Sequence, residues 1–109
     1  MAPTRAVIVL TTVGATFDVA RLAHVLVDER LAACVNVLPP MQSVYRWQGQ
    51  VQQDDERQLV IKTSADCVEA LHLRVRALHP YDVPEWLVIA VDDGSQAYLE
   101  WVGAATAPP

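Results

Sequence analysis

The spacing of apolar and polar positions changes period several times along the chain, and each change marks an element. Ala6, Val7, Ile8, Val9 and Leu10 form an unbroken, mostly β-branched run, the pattern of a strand central in its sheet. A short polar lead, 1–4, precedes it. Gly14 interrupts the pattern, and Thr16 is placed to cap a helix with Asp18 in its first turn. Over 17–31 the period becomes helical: Val19, Leu22, Ala23, Leu26 and Val27 make one stripe, with Arg21, His24 and Asp28 opposite. Ser64 is placed to cap a second helix from about Asp66, whose Val68, Leu71, Val75 and Leu78 face inward and Glu69, His72 and Arg76 outward. Pro80 ends it. The run Trp86, Leu87, Val88, Ile89, Ala90, Val91 predicts a further strand, and Ser95 is placed to cap a short last helix through Tyr98, Leu99 and Trp101. From Gly103 the tail is expected to fray.

Between the two long helices, 33–63 predicts a single long hairpin turning at Gln48, Gly49 and Gln50. Its first arm alternates, with Ser43, Tyr45 and Trp47 on one side and Val44, Arg46 and Gln48 on the other. Pro39 and Pro40 lack the N–H groups of a regular ladder and mark a bend. Ordinary strands run ~5–6 residues. An arm of about fourteen residues at ~3.3 Å each reaches about 46 Å, against a radius of gyration of ~13 Å for a compact chain near this length. The tip must bend or project, and a projecting tip exposes Tyr45, Trp47 and open strand edges. A partner chain is the expected cover.

The order β-α-β-β-α-β with a terminal helix is the ferredoxin-like, split βαβ arrangement of the α+β class, helices on one face of an antiparallel sheet. At 109 residues a single domain is expected over 1–109, with its structured core at about 5–103. A net charge of −5 opposes binding to nucleic acid or to an anionic membrane, and no apolar run reaches the ~20 residues of a membrane span. With two cysteines, Cys34 and Cys67, no metal-finger spacing and no signal-peptide pattern, a cytoplasmic protein with free thiols is expected.

The densest candidate site is His79, Pro80, Tyr81, Asp82, Val83, Pro84, Glu85. An imidazole, a phenol and two carboxylates share a loop stiffened by two prolines, which holds polar groups at little further entropy cost. On residue types alone the commoner reading of this stretch is a rigid connection with His79 closing the preceding helix. Lys62 sits near a strand end, where it can face an anionic ligand, pair with Glu85, or simply be solvated. Asp54, Asp55 and Glu56 lack calcium-loop spacing and read as a solvated hairpin edge. No phosphate-binding glycine loop, GxSxG or HExxH is present, so no enzyme is specified.

Several segments in register resemble the CutA divalent-cation tolerance family: Leu31-Ala32-Ala33-Cys34-Val35-Asn36, then Tyr45-Arg46-Trp47 with Gly49, Glu56, Ile61-Lys62-Thr63, the His79 to Glu85 motif, and Tyr98-Leu99-Glu100-Trp101. The resemblance implies a cytoplasmic homotrimer built by strand pairing between chains, similar in assembly to the PII signalling trimers and linked to copper or other divalent-metal tolerance. Tyr45, Trp47, Tyr98 and Trp101 are the expected trimer interface. Lys62, His79, Tyr81, Asp82 and Glu85 are the expected ligand-binding cleft. The family's metal ligands carry over only in part: Thr11 and Leu78 stand where a cysteine and a first histidine are offered, which leaves His79. Weak binding of copper or zinc is therefore expected. The alternative is a PII-like signalling trimer that binds a small anion or nucleotide between subunits, near Lys62 and Glu85.

Overall fold

The computed structural model describes residues 5–109, so the polar lead at 1–4 lies outside the described residues. In order come β1 (Ala6–Gly14), α1 (Val19–Asp28), β2 (Cys34–Val37), β3 (Met41–Trp47) and β4 (Gln50–Ser64). A 3-10 turn (Ala65–Cys67), α2 (Val68–Leu78), β5 (Leu87–Ala90) and α3 (Gln96–Ala105) complete the chain. The strands lie in the order β2-β4-β1-β5, all antiparallel, and β3 continues along β4 beyond β2. This is the expected α+β, ferredoxin-like sheet.

One face of the sheet holds the core. Val7, Val9 and Val13 of β1 alternate inward beside Leu59 and Ile61 of β4, and pack with Val19, Leu22 and Leu26 of α1 and Leu71 and Val75 of α2. Each such side chain contributes about 1.5–3 kcal/mol by leaving water. β1 runs four residues past the expected end at Leu10, because Thr11 and Thr12 keep pairing with Leu59 and Gln58.

The helices start and stop where hydrogen bonds decide. Asp18, not Thr16, caps α1 by accepting from Arg21 N. The helix stops at Asp28 instead of Leu31 because Arg30 takes a positive φ of 61°. Arg30 N then donates to Val27 O and Leu31 N to Leu26 O, the paired closure of a Schellman motif. The Arg30 guanidinium is held by Ala104 O and Ala107 O at the end of α3. Ser64 does not cap the following helix; its hydroxyl meets Thr106 Oγ1 at 2.5 Å. That contact and the buried Thr106 keep α3 ordered past Gly103, where fraying was expected. His72, expected in water, stacks on Trp86 with ring centroids 4.3 Å apart. Val27 and Leu78, assigned to inward stripes, are exposed.

The long hairpin is present, with its bend at Pro39 and Pro40 separating β2 from β3. Gln48 and Gly49 both have positive φ, 50° and 78°, the two-residue geometry whose twist matches paired strands. β1 ends opposite Glu56, so 50–55 and β3 extend beyond the rest of the sheet. The molecule is accordingly 49 × 26 × 23 Å. The tip projects.

Candidate functional site

Directly opposed residues of an antiparallel pair share a face. Met41, Ser43, Tyr45 and Trp47 of β3 oppose Glu56, Asp54, Gln52 and Gln50 of β4. Glu56 and Gln58 oppose Gly14 and Thr12 of β1. By alternation this face is turned away from the α1 and α2 core. The 80–85 loop borders it, and together they form a groove of about 1000 Å³.

The loop is fixed to the groove floor at three points. His79 ends α2 with its N–H on Val75 O, extended as Pro80 requires. Its ring is buried, with Nε2 2.6 Å from Thr12 O and Nδ1 accepting from Tyr81 N at 3.1 Å. The imidazole is therefore the neutral Nε2–H tautomer in this arrangement. Tyr81 follows, and its hydroxyl donates to Glu56 Oε2 at 2.9 Å. Gln58 Nε2 donates to Glu85 Oε2 at 2.9 Å and to Thr11 O at 2.7 Å, tying the far end of the loop to β1.

Glu56 was expected in a solvated edge but is only 7% exposed. Burial, then the bond to Glu56 and the surrounding negative charge, push the Tyr81 phenol up to about 12. On the exposed hairpin the bond to Asp54 is the main cause that raises Tyr45.

The structure gathers His79, Tyr81, Asp82 and Glu85 at one end of the sheet but leaves Lys62 elsewhere. Lys62 shares the Glu56 face six positions further along β4, about 20 Å away, and its ammonium lies 5.9 Å from the Tyr98 ring centroid. It borders a separate hollow with Ile8, Leu99 and Val102. Within one chain Gln58, not Lys62, is the partner of Glu85. Tyr45, Trp47, Tyr98 and Trp101 are all exposed. Sequence reasoning missed Glu56, Gln58 and Thr12 as site residues. The signal available was the polar alternation Asp54, Glu56, Gln58, in phase opposite to Leu59 and Ile61.

The described residues do not fit a resident metal. No three His, Cys, Asp or Glu side chains among them converge on one point. As a ligand, His79 would have to give up Thr12 or Tyr81, since both ring nitrogens are engaged. Cys34 and Cys67 are free thiols, and Cys67 Sγ lies 3.5 Å from Thr106 O.

Comparison with known proteins places this arrangement. The family model described as "CutA1 divalent ion tolerance protein" matches residues 7–105. A divalent-cation tolerance protein CutA of Thermus thermophilus is 45% identical over 95 residues, 87% of this chain and 92% of the relative. The chain spans about half the length of the plant and animal relatives it matches. Among solved structures, CutA1 from Oryza sativa superposes with a TM-score of 0.92 at 40% identity, covering 98% of both chains. A protein from Nostoc sp. described as PII-like CutA in apo form gives 0.86 at 37% identity, covering 93% of this chain and 97% of that one.

Proposed function

The chain belongs to the CutA1 divalent ion tolerance family, and we propose that it acts as a homotrimeric, non-enzymatic binding protein in divalent-metal tolerance. The observation that carries this is exposed apolar surface on open strand edges. In one chain Leu87, Val88 and Ile89 of β5 are each about half exposed, and Leu87 reaches 54%. Among the described residues β5 pairs only with β1. At the other end the hairpin presents Val44, Tyr45, Trp47 and Val51 to water. Soluble chains cover such edges, and a closed ring of identical chains covers both kinds at once.

Assembly also gives the groove its second wall. The 80–85 loop and the hairpin bound it from one chain, and the projecting hairpin leaves its outer side for a neighbour. Lys62 and Glu85, far apart within a chain, are brought near each other only if different subunits supply them. We take the whole chain as one domain of this assembly and place it in the cytoplasm, in keeping with its two free thiols. Metal contact is weak in this reading, because the groove holds carboxylates without a converging soft ligand set.

Light scattering at micromolar concentration tests the assembly: three chains are expected, and a monomer mass removes the proposal. Calorimetry with Cu(II) and Zn(II) on metal-free protein tests the second part.

A further inference from the structure

Three segments remote in sequence grip the C-terminal end of α3. Arg30, just past α1, donates from Nε to Ala107 O at 2.6 Å and from Nη2 to Ala104 O at 2.9 Å. Ser64, the last residue of β4, meets Thr106 Oγ1 at 2.5 Å, and Cys67 Sγ of the 3-10 turn lies 3.5 Å from Thr106 O. The other end of α3 is capped from within, Ser95 Oγ accepting from Tyr98 N. It stands over the hollow lined by Ile8, Lys62 and Leu99.

The helix has little else to hold it. Of its ten residues Val102 alone is buried, and a helix this short is marginal by itself. No basic residue stands in its last turn, so α3 does not compensate its own terminal carbonyls. Arg30 supplies that charge from the far side of the sequence.

Its backbone makes the residue choice informative. A φ of 61° is the helix-ending position that glycine fills with least strain, and a Cβ there is disfavoured. Closure of α1 would be served better by glycine and does not account for an arginine. The bonds to Ala104 and Ala107 do, and they hold the strained backbone in place.

What the clamp positions is a surface. Ile8 opposes Lys62 on one side and Ile89 on the other, so Leu87 and Ile89 share the sheet face that α3 covers. Leu87, Ile89, Tyr98 and Trp101 are all exposed in one chain, and the Tyr98 and Trp101 rings lie 5.4 Å apart. The open face of β5 therefore continues onto α3.

We propose that Arg30 is the positioning residue of the assembly surface. Its guanidinium clamps α3 so that Tyr98 and Trp101 extend the β5 face onto which a second copy of the chain packs. The inference rests on the assembly reading above and names the residue that sets its geometry.

The test is hydrogen exchange of the α3 amides, with light scattering along a dilution series in urea, on intact wild type and three variants. Arg30→Gly relieves the backbone and removes the clamp, whereas Arg30→Ala removes the clamp and keeps the strain. Both are expected to speed α3 exchange at least about tenfold, the size of a lost bond to a charged donor. Both are also expected to dissociate at a protein concentration at least about tenfold higher than wild type, with smaller changes in exchange at the centre of β1 and β4. Arg30→Lys keeps the charge without the forked donor and is expected to recover part of each effect, which keeps the test open if the other variants misfold. Wild-type α3 exchange in Arg30→Gly overturns the inference, because Arg30 would then serve the end of α1 alone. So does a loosened α3 with unchanged dissociation. An assembled wild type without any effect of Arg30 sinks this inference alone. A wild type that stays monomeric sinks the assembly reading and the positioning role together, even where Arg30 still protects α3.

Discussion

The Tyr81 hydroxyl donates to Glu56 Oε2 at 2.9 Å, joining the 80–85 loop to the middle of β4. These residues are 25 positions apart and come from segments with different sequence character. Their bond fixes the loop over the groove.

That bond gives a pH signature. The folded chain raises the Tyr81 phenol from 10.0 to about 12, so it holds the proton more tightly than the unfolded chain. The stabilisation is complete below the unfolded value and is lost as pH rises through the window from 10 to 12. Denaturant melts across that window are expected to show a steeper loss of stability in wild type than in Tyr81→Phe. Parallel curves would mean that the phenol titrates as it does in water.

Thr11 is buried at the sheet centre and its Oγ1 has no hydrogen-bond partner among the described residues. An unpaired hydroxyl there carries a desolvation cost with no return. Thr11→Val keeps the branched shape and is expected to raise stability by about 1 kcal/mol. A lower melting temperature would reveal a partner for the hydroxyl, such as a buried water.

Gly49 turns the hairpin at φ 78°, and a Cβ added there would meet nothing within 4 Å. The cost of Gly49→Ala is therefore conformational alone, about 1–2 kcal/mol. Thermal melts measure it, and a cost of zero would mean that the tip relaxes to another turn.

Trp47 is 40% exposed in one chain. If a neighbour covers it, Trp47→Ala loses about 3–5 kcal/mol of assembly stability, in the range of core aromatic truncations. If nothing covers it, the change stays within about 0.5 kcal/mol, as for ordinary surface sites. Concentration-dependent melts with mass measurement separate these outcomes, and the first is expected.

His79→Ala is expected to destabilise the chain by about 2 kcal/mol through the loss of the contacts to Thr12 O and Tyr81 N. Cu(II) and Zn(II) affinity is expected to stay micromolar or weaker in both proteins. Submicromolar metal binding that disappears in the variant would restore His79 as a ligand.

Periodicity alone determined the elements and their order. The β-branched run at 6–10, the helical stripe from Val19 to Leu26 and the long alternating hairpin each follow local rules, and their succession leaves few ways to build a sheet. The motif at 79–85 marked the loop, and the same stretches carried the family. Tertiary structure decided the rest, because it depends on what lies opposite. Gly14 and Tyr81 meet Glu56 only through sheet register and loop placement, so alternation separates Glu56 from Asp55 but nothing local separates it from Asp54. In sequence His79 reads as a candidate ligand or as the close of the preceding helix, and it becomes a satisfied imidazole once Thr12 O is beside it. Helix ends followed the same logic: Arg30 takes a left-handed backbone with its guanidinium held by carbonyls 74 and 77 positions away. The apolar run at 86–91 specified a strand, but its place at the sheet edge, with Leu87 and Ile89 facing water, follows from its pairing, among the described residues, with β1 alone.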